Sequence, residues 1–175
     1  MLRQPAPNFA GDRERCNQGL EPLELDCLVM RVYLDMCSIQ RPLDTKSQVR
    51  IAVEAEAILG VLALCELEDL DLVSSDALVF EAEQNPHPAR KRYAFEVLAK
   101  AKIFVRTDEQ VEARARTLFS GGIQALDALH VASAEATRAD FFCTCDDRLL
   151  RRAKRIVAPP TKAVSPLELI AEVAS

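Results

Sequence analysis

The sequence predicts an α/β fold, a three-layer sandwich with a mostly parallel central sheet. Three observations lead there. From Met30 onward, short β-forming runs alternate with longer helical patterns, the order that builds parallel sheets through right-handed crossovers. The run FFCTC (residues 141–145) is almost continuously apolar, the pattern of a strand buried on both faces. A chain of 175 residues, 49% of them apolar, is long enough for one core of ordinary domain size.

Residues 1–29 mix Pro, Gly, Asn and charge without sustained periodicity. They read as an N-terminal extension, flexible or an over-extended start, with the domain occupying residues 30–175. Their opening stretch has no apolar segment of the kind a secretory signal needs. RVYLDM (31–36) is a short alternating strand, and RPLDTKSQ (41–48) is a loop into a helix from Gln48 to Leu64. On that helix Ile51, Ala55, Ile58, Leu59 and Leu62 share a stripe. A second strand is centred on Leu70 to Val73, and Ser74 or Ser75 caps a helix through ALVFEAE that Asn85, Pro86 and Pro88 end.

The remaining elements follow the same alternation. A helix fits Pro88 to Lys100, a strand Ile103 to Val105, and a helix Glu109 to Phe119 closed by Gly121 and Gly122. Another helix fits Leu126 to about Thr137, ahead of the strand FFCTC. Then come a short helix DRLLRRA (147–153), a strand RIVA (155–158), and a final helix opened by Ser165 and Pro166.

Composition narrows the function. The longest apolar stretch, residues 57–65, is too short for a bilayer, so no membrane span is expected. Six cysteines form no C-x-x-C pair, and His87 and His130 are far apart in sequence, which argues against structural zinc. Cys143 and Cys145 read as small buried thiols of a reducing, cytoplasmic compartment. A net charge of −5 disfavours indiscriminate wrapping of nucleic acid. It leaves room for a local basic surface at RLLRRAKR (148–155), which serves either to grip phosphates or as a solvated helix face.

In open parallel sheets, ligands sit beyond the carboxyl ends of the strands. Asp35 ends VYLD, and Asp146 follows FFCTC. Asp127 opens DALHVASAEA, and Glu81 lies early in the helix after the second strand, with Glu83 as its rival. Each has an ordinary alternative: a cap or dipole partner for Asp127, turn residues for Asp35, Asp146 and Asp147, and solvated helix acids for Glu81, Glu83 and Glu54. Asp147 is read as a helix N-cap or an outer acid, and His130 as a packed structural residue rather than a general base. Several carboxylates within about 5 Å repel by roughly 3 kcal/mol per pair at an effective dielectric near 20, so a cluster calls for a cation. Oxygen-only donors suit Mg²⁺ or Mn²⁺.

At these residues the chain resembles the PIN-domain family. The likeness runs through LDMCSIQRPLD (34–44), SDALVFEAEQNP (75–86), LDALHVASA (126–134) and TCDDRLLRRAKR (144–155). The resemblance implies an acidic quartet of Asp35, Glu81, Asp127 and Asp146. It implies a metal-dependent ribonuclease acting on single-stranded RNA, the toxin of a toxin and antitoxin pair, with an antitoxin and a second copy of itself as partners. The sequence departs from many relatives after the first Asp, where Met36 and Cys37 stand in place of a small polar residue, so that either Ser38 substitutes or the metal site is weakened. A scaffold that binds RNA or protein without cutting is the alternative reading.

Overall fold

The structure, a computed structural model, describes residues 29–174. The expected extension therefore lies outside the described residues apart from Val29. Five strands form one parallel sheet: β1 (Met30–Leu34), β2 (Leu70–Ser75), β3 (Ile103–Val105), β4 (Phe141–Cys143) and β5 (Lys162–Val164). Their order is β3-β2-β1-β4-β5, so the direction of travel reverses between β1 and β4. The two edge strands, β3 and β5, are only three residues long.

Among the described residues the helices are α1 (Met36–Gln40), α2 (Val49–Glu66), α3 (Asp76–Gln84), α4 (Pro88–Leu98), α5 (Glu109–Ser120), α6 (Ala125–Ala136), α7 (Asp147–Ile156) and α8 (Pro166–Val173). None of them is long and apolar enough to cross a membrane. Helices cover both faces of the sheet, α2 packing with α8 and α6 with α5. The inner strands are correspondingly apolar. Val32, Tyr33, Leu34, Leu72, Val73, Phe142 and Cys143 are all buried, as strands between two helical layers must be.

Four expectations change. Met36 leaves the strand and starts α1, because the Asp35 side chain accepts from Ser38 N and so caps a new helix one residue after β1. Arg41–Leu43 then form a 3-10 turn instead of an open loop. RIVA is not a strand: Arg155 and Ile156 finish α7, and Pro159 and Pro160, which lack N–H donors, delay the fifth strand to Lys162. The stripe on α2 holds for Ala55, Ile58 and Leu62, whereas Leu59 faces outward and Glu54 faces in. Glu54 is buried because Arg41 Nε and Arg50 Nε meet its two oxygens at 3.0 and 2.7 Å. The reading of Glu54 as a solvated acid is thus replaced by a paired one.

Candidate active site

The four acids expected from the sequence come from separate stretches of chain, and the charges of Asp35, Asp146 and Glu81 all act on Asp127. Asp35 sits at the end of β1, and its N–H continues the pairing with β4 by donating to Cys143 O at 3.0 Å. Its side chain is almost fully buried. Ser38 N donates to Oδ1 at 2.8 Å, and the Cys37 thiol reaches both carboxylate oxygens at 3.1 Å. Burial raises the Asp35 pKa, while Thr144, Cys37 and Ser38 hydrogen bonds pull the other way. Cys37 thus fills the place where a small polar residue was expected. Ser38 substitutes through its backbone, for its hydroxyl is spent on Cys143 O at 3.2 Å. Hydrogen bonding to Cys145, burial and the Asp35 carboxylate all raise the Cys37 pKa, which keeps it a donor.

Asp127 is not the N-cap of α6. Gln124 occupies that position, and Asp127 lies in the first helical turn, half-buried. Its pKa is raised to about 6, first by burial and then by the charges of Asp35, Asp146 and Glu81, with His130 opposing. The other three expected acids are thus within electrostatic reach of Asp127. Asp146 is exposed. It, and not Asp147, caps α7: Oδ1 accepts from Arg148 N at 2.7 Å and Leu149 N at 3.1 Å. Asp147 instead forms a two-pronged pair with Arg50 of α2, both contacts at 2.6 Å.

Glu81, unlike Glu83, joins a chain of hydrogen bonds that runs into the core. Glu81 Oε2 lies 2.8 Å from His130 Nε2, and His130 Nδ1 lies 2.8 Å from the Tyr33 hydroxyl, which is 2.7 Å from Ser75 Oγ. Ser75 Oγ also accepts from Leu78 N as the N-cap of α3. The direction of the chain follows from donor capacity. An ionised Glu81 only accepts, so Nε2 carries the imidazole proton and a neutral ring accepts at Nδ1 from Tyr33. Burial raises the Tyr33 pKa and keeps that hydroxyl protonated. Glu83 is exposed on the opposite side of the helix. His130, buried at 2% exposure, is the packed and hydrogen-bonded residue expected.

Sequence reasoning missed Tyr33, Ser75 beyond its capping role, Thr144 and Cys37. Tyr33 alternates with Val32 and Leu34 in a strand where an aromatic is unremarkable, so only its position two residues before Asp35 offered a signal.

A divalent cation is the group this family implies. The donor set fits one by type: every candidate ligand is a carboxylate. Glu81 Oε1 and Asp146 Oδ2 are free of the bonds that hold their partner oxygens. Among the described residues, no three acidic, His or Cys side chains already meet as a ready-made cage.

A five-stranded parallel sheet covered by helices on both faces defines an α/β three-layer sandwich. A family model for the PIN domain matches residues 43–155, and the chain belongs to that family, generally a nuclease fold. Among solved structures it is similar to FitAcB from Neisseria gonorrhoeae, at 19% identity over 78% of this chain and 98% of that one, with a TM-score of 0.51. It is also similar to PAE2754 from Pyrobaculum aerophilum, at 18% identity over 84% of this chain and 97% of that one, with a TM-score of 0.49. At these identities the likeness speaks for the fold alone. No curated protein matches the chain.

Proposed function

We propose that the protein is a metal-dependent endoribonuclease that hydrolyses phosphodiester bonds of single-stranded RNA. In this reading Asp35, Glu81, Asp127 and Asp146 hold Mg²⁺ or Mn²⁺. The observation that carries it is the Asp127 carboxyl, pushed up to about 6 in part by three other acids from three other elements. Such a convergence disfavours folding unless something positive joins it. A divalent cation there supplies Lewis acidity toward a phosphate oxygen and an attacking water. The chain's own residues do the rest. Asp35, held by Ser38 N and Cys37, is the fixed floor of the site; Glu81 is aimed by His130; Asp146 stands at the mouth, where a strand of RNA would pass.

The resemblance to PIN-family toxins extends the reading to the toxin of a toxin and antitoxin pair, with an antitoxin and a second copy as partners. The rival is a non-cutting scaffold, favoured by the lack of three acids already at ligating distance. Cleavage of single-stranded RNA in Mn²⁺ by purified protein tests both. Asp35→Asn, Asp127→Asn and Asp146→Asn should each abolish cleavage and weaken Mn²⁺ binding, while unfolding of the metal-free variants occurs at equal or higher urea. Equal cutting by wild type and Asp146→Asn would refute the assignment. A wild type that binds no Mn²⁺ at millimolar concentration would favour the scaffold.

A further inference from the structure

The helix that Asp146 caps carries a row of arginines with few acidic partners among the described residues. On α7, Arg148, Arg151, Arg152 and Arg155 follow at i, i+3, i+4 and i+7, one face of a helix. These four side chains alone line a surface cleft of about 220 Å³. The opposite face, Leu149 and Ala153, is buried in the core, so the arginine face is fixed outward. Elsewhere Arg41, Arg50, Arg90 and Arg114 each hold a carboxylate. Among the described residues Arg148, Arg151 and Arg155 form no ion pair, and Arg152 donates to the carbonyl of Gly122. Asp147, in the first turn of the helix, forms its ion pair with Arg50 and acts on Arg151 only at longer range.

Four like charges around one cleft, in a chain of net charge −5, form a local basic surface complementary to a polyanion. We propose that this face of α7 docks the phosphate backbone of the RNA strand on one side of the cut, an inference that rests on the endoribonuclease reading. Position supports it. Asp146 lies at the N-terminal end of α7, and Arg148 is two residues on. From Arg148 to Arg155 the helix rises about 10 Å, so the ridge leads away from the acids along a track for successive phosphates. Guanidinium groups suit that role, since their planar forks match phosphate oxygens. The contacts carry no base identity, so the ridge contributes affinity and register but not sequence preference.

The test uses the full chain carrying Asp127→Asn, in Mg²⁺, so that RNA is bound and not cut. Binding of a labelled single-stranded oligoribonucleotide is measured across a salt series. Each phosphate contact on a single strand contributes about 0.7 to the slope of log affinity against log salt. Adding Arg148→Gln, Arg151→Gln and Arg155→Gln should flatten the slope by about 2 and weaken binding on the order of 100-fold at 0.1 M salt. The three corresponding Arg→Lys changes should keep most of the slope, because charge is retained. All three positions are exposed, and circular dichroism should show an unchanged fold. If the parent binds RNA and the Gln variant binds with the same slope, the docking surface is wrong while the ribonuclease reading stands. If the parent binds no RNA at any salt, both fall. If poly-glutamate binds the ridge more tightly than RNA does, the surface belongs to an acidic protein and the proposal is overturned.

Discussion

Asp127 and Asp35 are the acids whose pKa burial raises, and the direction has consequences for stability. The folded Asp127 pKa of about 6 exceeds its ordinary value of 3.8, so between those values the folded chain holds a proton that the unfolded chain releases. Its contribution is therefore complete below about pH 4 and is lost as pH rises through about 6. Asp127→Asn removes that loss. In EDTA the variant should gain on wild type by about 1 kcal/mol from pH 5 to pH 7, a figure lowered for the screening of a half-exposed group. A pH-independent gap in urea midpoints would contradict this. Mn²⁺ affinity of the wild type should climb over the same interval, since the ligand must lose its proton. The hydrogen-bonded chain predicts a different result. Tyr33→Phe leaves His130 Nδ1 and Ser75 Oγ without their shared partner in a buried site, and should cost about 1–3 kcal/mol. Glu81→Gln should lower Mn²⁺ affinity and Glu83→Gln should not; the reverse would return the role to Glu83. The placement of Asp35 after β1, Asp127 in the first turn of α6 and Asp146 after β4 was legible from the alternation of strands and helices. The supports were not. A tyrosine in a strand, a cysteine after an aspartate and a threonine at a strand end look alike whether they bond a carboxylate or fill space.

At the scale of elements, the start of α7 serves structure and site together. Asp146 spends one oxygen on capping two N–H groups, and its other oxygen takes no part in the cap. Asn caps about as well as Asp, whereas Ala does not. Asp146→Asn should thus retain the helix and lose metal affinity, while Asp146→Ala should lose both, with about 1 kcal/mol of stability. Equal thermal midpoints for the two variants would mean that the cap contributes nothing. The long helices and the central strands were readable from period and run length, for α2 and β4 announce themselves. The short elements were not. Helix α1 exists because the side chain of Asp35, a residue assigned to chemistry, also closes its first turn. The last strand begins only after Pro159 and Pro160, so the apolar run before it was absorbed by α7. Where one residue serves two purposes, or where a proline pair displaces a pattern, local periodicity points to the wrong boundary.

At the scale of the whole molecule, the core of the described residues is built from Met30 onward, and a chain beginning at Met30 is expected to unfold cooperatively in urea. Aggregation of that shortened chain would mean that residues 1–29 belong to the domain. Self-association is expected as well, with Phe119 of α5 exposed beside a mainly apolar cleft that Ala115, Ala125 and Leu129 help to line. A monomeric mass by light scattering at tens of micromolar would count against it. The form of that association is constrained by the sheet. An edge strand is a template, since its outward N–H and C=O groups await another chain. Here each edge is three residues long, and β5 is closed in by Pro160 on one side and Pro166 on the other. Little ladder is left for a neighbour to extend, so copies of this protein are steered away from growing into one continuous sheet and, with it, from the fibrillar fate open to proteins with long bare edges.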